Sequence, residues 1–127
     1  MSGADRITVG LTKETHELLQ KLQAEGIFDE MRDGYRLGIA LAIARGGIAA
    51  EDQAMRTFVN VGTLDPDGAI RDMITELYPE AAGKPYAIAE RLAEYGVSQL
   101  GPLYESGQLQ FGQLLNTVSH SRASEEL

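Results

Sequence analysis

Between Met31 and Gly46 the chain reads MRDGYRLGIALAIARG, and from Leu37 to Ala44 a helix built from it is apolar on every side. Neighbours bury a helix of that kind. Within it Gly34, Gly38, Ala42 and Gly46 recur every four residues, a small-residue row that lets a second backbone approach along an i±4 groove. We expect the row to pack against an internal helix, with residues 67–78 as the first candidate, or against the same helix of a second copy.

Ahead of this core helix, Arg6 to Leu11 alternates, with Ile7, Val9 and Leu11 on one side and Arg6, Thr8 and Gly10 on the other. Period two predicts a half-buried strand, whose open edge needs a partner in this chain or in another copy. Thr12 stands where an N-cap belongs, ahead of a helix over 13–25 that buries Leu18, Leu19 and Leu22. Gly26 ends that helix and Asp29 is placed to cap the next. After Gly46 and Gly47 stop the core helix, residues 48–56 read as a short helical or irregular connector, and 57–64 as an extended segment with no assured pairing. Asp65-Pro66-Asp67 opens a helix that carries Ile70, Met73, Ile74 and Leu77 on one face and ends near Tyr78. Residues 80–84 form a linker. A further helix runs from Pro85 to an interruption at Gly101-Pro102, and a last one covers 109–118. The pattern predicts a mainly α protein, one domain over 1–127. It starts with a strand-helix-helix unit at 6–46, continues with an extended segment plus C-terminal helices at 57–118, and closes with a flexible tail at 119–127. Residues 2–5 read as a mobile leader.

Composition narrows the chemistry. The 127 residues suffice for a core without staples, and with no Cys, disulfides, thiol catalysis and Cys-based zinc sites are excluded. The apolar run at 37–44 is far short of the roughly 20 residues a membrane span requires, and MSGADR is no secretory signal. A cytoplasmic location is the default expectation, with no membrane partner. Net charge is −8: residues 1–61 hold seven Lys/Arg against nine Asp/Glu, and residues 62–127 four against ten. DNA affinity is largely phosphate neutralisation, so this charge disfavours DNA as a partner without removing a local contact.

Candidate chemistry is sparse. Asp65-Pro66-Asp67-Gly68 lacks the coordination pattern of a calcium loop and reads as a helix cap. His16 and His120 have no second ligand at helical spacing and read as surface residues. Neither an elbow serine motif nor a phosphate-cradling glycine loop occurs, and Glu90, Arg91 and Glu94 read as a solvated face. We expect no metal, no cofactor and no catalytic residue.

The segment RITVGLTKETHELLQKLQAEGIFDEMRDGYRLGIALAIARG resembles the ribbon-helix-helix unit of MetJ/Arc-type DNA-binding proteins. That resemblance implies dimers that pair their strands, with Arg6, Thr8 and Gly10 turned to DNA and the second helix gripping phosphate. Here Gly10 has no side chain to read a base, and Asp29 and Glu30 put two negative charges at the phosphate position. Over most of its length the chain also resembles the DndE family, which accompanies DNA phosphorothioate modification. The shared features are a second helix that is basic at its start (Arg32, Arg36) and apolar later, an FNxxTL-like stretch at Phe58 to Leu64, and a later helix carrying a glycine, RLAEYGVSQL. The resemblance implies a non-enzymatic, oligomeric protein of a DNA-modification or defence system, with a possible protein partner in a DNA-processing assembly. Direct DNA contact is expected to fall on Arg6, Thr8, Lys13, Arg32 and Arg36, and packing or oligomer contact on Gly34, Gly38, Ala42 and Gly46. The alternative is an acidic protein-protein adaptor without nucleic-acid binding.

Overall fold

Residues 5–81 and 83–107 are described by a computed structural model, which is mainly helical with one small antiparallel sheet. The elements are β1 (Thr8–Leu11), α1 (Lys13–Ala24), α2 (Met31–Arg45), β2 (Arg56–Asn60), α3 (Val61–Leu64), α4 (Ala69–Leu77) and α5 (Pro85–Glu105), with a 3₁₀ turn at Pro79–Ala81. The expected helix at 109–118, the tail and His120 lie outside the described residues, as does most of the leader.

The strand finds its partner within the chain. β1 pairs antiparallel with β2, Val9 facing Val59 and Leu11 facing Arg56, with an irregularity after Val9. The stretch at 57–64 is therefore part strand and part helix, rather than extended throughout. Phe58 explains the pairing, since its ring meets Tyr35 of α2 at 5.2 Å and His16 of α1 at 5.6 Å. The turn that follows, α3, is anchored by buried Leu64. Its last carbonyls accept from Arg36, Nε to Leu64 at 2.9 Å and Nη2 to Thr63 at 3.2 Å. Ile7, expected inside, is 74% exposed just before the strand, whereas Val9 and Leu11 are fully buried; Gly10, expected on the outer side, is buried as well, its amide held by Glu90.

The core helix ends as its glycines direct, with Gly46 at φ 69 as a left-handed cap. Its N-cap is Glu30, with no side-chain hydrogen bond, so Asp29 does not cap it. The small-residue row packs on an internal helix, as one of its two expectations has it, but the helix is not the first candidate at 67–78. α2 lies against α5, where the Gly96 backbone stands so close to the Gly38 carbonyl that a β-carbon at Gly96 would overlap it. A β-carbon at Gly38 would come within 2.6 Å of the Val97 side chain. Gly34, nearer the start, faces Leu19 and Phe28, and Ala42 is buried, while Gly46 serves as a cap rather than a contact.

α5 is the central element. It continues through Gly101-Pro102 to Glu105, although Pro102 forfeits one amide bond. Tertiary contacts hold that last part: Leu103 and Tyr104 pack on the core, and the Lys21 ammonium lies 5.6 Å from the Tyr104 ring centre. With α2 on one side and β1 and α1 on another, the middle of α5 keeps little solvated surface.

Candidate functional site

Two helix starts are held by carboxylates, one expected from the sequence and one not. Asp5, expected in the mobile leader, accepts from the first amides of α5, Tyr86 at 2.8 Å and Ala87 at 3.0 Å. Asp65 does act as a cap, but the helix opens only at Ala69, with Pro66 outside it, and the carboxylate accepts from Ile70 and Arg71 at 2.9 and 3.0 Å. The Tyr86 hydroxyl donates to the same carboxylate at 2.7 Å, which ties α4 to α5. Burial pushes the Asp65 carboxyl up, but its two backbone hydrogen bonds and the Tyr86 hydroxyl outweigh this and hold it below its ordinary value. Burial, followed by the hydrogen bond to Asp65, pushes the Tyr86 phenol up to about 12. The Asp65 contribution is therefore present above the ordinary carboxylate range and lost as pH falls through its lowered value. That of Tyr86 is present below about 10 and lost as pH rises towards its raised value. Tyr86→Phe is expected to cost about 2 kcal/mol at neutral pH, the scale of a hydrogen bond to a charged group. Urea denaturation checks the cost, and a flatter stability profile at high pH should accompany it.

The carboxylates read as a solvated face are buried. Glu90 and Glu94 are 4% and 7% exposed, one turn apart on α5, and both face the β1–α1 junction. Glu90 accepts from the Gly10 amide at 2.9 Å, and Glu94 from the Thr12 amide and hydroxyl, both at 2.9 Å, and the Thr15 hydroxyl at 2.7 Å. The Gly10 carbonyl in turn accepts from the buried Tyr35 hydroxyl at 3.1 Å. Thr12 is the N-cap of α1 as expected, receiving the Thr15 amide at 3.4 Å. Burial raises the Glu90 carboxyl above its ordinary value, against the lowering effect of the Gly10 amide and Arg6. Burial also raises the Tyr35 phenol, reinforced by the two glutamates.

His16 is likewise buried, at 8% exposure, with Nδ1 making no hydrogen bond and the ring edge-on to Phe58. Burial, and then the Arg56 charge, lower its pKa. The native imidazole thus resists protonation, and its contribution to stability is full above about 6.5 and lost as pH falls below. Its Cε1 proton is expected to titrate below the value of a free histidine in an NMR pH series.

The five residues assigned to DNA contact do not all line one groove. Arg6 and Thr8 line a groove with Met55 and Glu90, and Arg32 lines a different one with Phe58 and Asn60. Lys13 stands exposed at the start of α1. The arginines are engaged: Arg6 with Glu90 at 3.5 Å, Arg32 with Glu30, and Arg36 with Asp33 and the two α3 carbonyls. A cavity of about 490 Å³ is lined by Met55 and Ile88, by Arg6, Lys84 and Arg91, and by Glu51, Glu80 and Glu90. Its lining holds three cations and three acids.

Among the described residues no group of three or more His, Asp or Glu side chains is placed to hold a metal, and no helix is long and apolar enough to cross a membrane. Comparison with protein-family models, curated proteins and solved structures finds no match. The buried glutamate pair had no signal in the sequence, since Glu90 and Glu94, with Arg91 between them, have the spacing of a solvated face. Its partners, Gly10, Thr12 and Thr15, are about 80 residues away in the chain.

Proposed function

We propose that this chain is a non-enzymatic, homo-oligomeric accessory protein of a DNA-modification or defence assembly. The reading rests on the order of its distinctive stretches, the order in which it resembles DndE proteins. α2 is basic at Arg32 and Arg36 and apolar later, the Phe58 to Leu64 stretch precedes the amphipathic α4, and a glycine lies within α5. In this reading β1, α1 and α2 form a ribbon-helix-helix-like unit whose strand partner is supplied in cis. The reading assigns no catalytic residue; the two buried carboxylates, Glu90 and Glu94, accept hydrogen bonds from the β1–α1 junction.

A second reading, an acidic adaptor that docks a protein partner without touching nucleic acid, is favoured by one observation. Arg6, Arg32 and Arg36 each already have an acidic neighbour, so a phosphate must compete for them. Titration with duplex and nicked DNA at increasing salt separates the two. Direct contact predicts binding at low salt that weakens steeply with salt and is lost when Arg32 and Arg36 are both changed to Glu. The adaptor reading predicts no binding even at low salt. Sizing in solution tests the oligomer, and a strict monomer at high concentration overturns it.

A further inference from the structure

The β1–α1 junction rests on two buried carboxylates and one cation. Glu94 is satisfied by three donors from Thr12 and Thr15. Glu90 has the Gly10 amide and, at 3.5 Å, the Arg6 guanidinium. The Arg6 side chain is 58% accessible and that of Glu90 only 6%, so a buried charge is balanced by a cation that any solution anion can reach. Among the described residues Arg6 is the cation ion-paired with Glu90, and Asp5, Glu51 and Glu80, which line the same cavities, add only negative charge. Glu94 lies one turn along α5 and repels, and the Tyr35 phenol from α2 is held neutral by burial and by the two carboxylates. Arg91 is committed to the Ala49 carbonyl at 2.9 Å and to Glu51. Lys84, the residue before α5, lines the same cavity but forms no ion pair with Glu90. A buried carboxylate that loses its counter-ion protonates rather than remaining charged.

We propose that the junction is a proton-linked latch: when an anion draws Arg6 away, Glu90 takes up a proton while keeping the Gly10 amide bond, so the junction stays closed. Anion capture at Arg6 and proton uptake at Glu90 are then two sides of one equilibrium, and acidification favours both. The latch does not depend on the proposed function, because the anion need not belong to DNA.

The test is an NMR titration of the Glu90 side-chain carboxyl carbon in the full chain, assigned by its loss in Glu90→Gln. The wild-type midpoint is expected above that of an ordinary glutamate. Arg6→Gln should raise it by about one further unit, the scale of a removed opposite charge, and Arg6→Lys should restore most of the difference. An unchanged midpoint in Arg6→Gln overturns the proposal. Wild-type protein supplies an independent arm that needs no variant. Sodium sulfate at the same ionic strength as sodium chloride should raise the Glu90 midpoint, and equal midpoints in the two salts remove the anion linkage.

Discussion

Gly96→Ala is expected to cost about 3 kcal/mol or more, at the upper end of overpacking in a close-packed core. The added β-carbon would fall on the Gly38 carbonyl, which is helix backbone and has no rotamer to change. α2 and α5 must therefore move apart, and with them the contact between the two longest elements of the fold. The higher helix propensity of Ala returns at most about 1 kcal/mol, too little to reverse the sign. Gly38→Ala should cost less, because its β-carbon first meets a Val97 methyl at 2.6 Å, and Gly34→Ala less again, because the nearest atom is the flexible end of Leu19. Urea denaturation of the three variants checks this order, and equal losses would show that the α2–α5 crossing is not the tight point.

The second large effect is expected at Glu94. Glu94→Ala removes the acceptor of the Thr12 amide and of the Thr12 and Thr15 hydroxyls. The hydroxyls can turn to each other, being 3.2 Å apart, but the Thr12 amide cannot turn. A stranded buried donor costs about 1–3 kcal/mol, and with the lost packing we expect about 3 kcal/mol in total. Faster hydrogen exchange at the Thr12 amide should accompany the loss. Glu90→Gln is the contrasting case, expected within about 1 kcal/mol of wild type at neutral pH. Its amide oxygen can keep the Gly10 bond, and removing a buried charge offsets the loss of its pairing with the exposed Arg6 guanidinium. The Glu90 carboxyl is raised, so the native state holds its proton more firmly than the unfolded chain. Acidification from neutral pH therefore strengthens the fold through this group, and Glu90→Gln should remove that part of the pH dependence.

Local signals carried most of the element list. The small-residue row and the apolar run at 37–44 placed α2, Thr12 placed the start of α1, and the spacing of Ile70, Met73, Ile74 and Leu77 placed α4. These features act through backbone hydrogen bonds and side chains a few residues apart, which a pattern along the chain can express. The candidate site was far less legible. Glu90 and Glu94 have the spacing of a solvated face, and only the placement of β1 over α5 makes them buried acceptors. His16 likewise has the setting of a surface residue until Phe58 covers it.

The sequence by itself determined a mainly helical protein, its strand-helix-helix beginning and a buried second helix lined with small residues. Only the tertiary structure decided that the row meets Gly96 of α5, that the strand pairs within its own chain, that Asp5 caps a helix about 80 residues away, and that two glutamates hold the β1–α1 junction. The reason is physical: each of these depends on which surfaces are brought together, and a buried hydrogen bond or a close backbone approach leaves no periodic trace in the residues that make it.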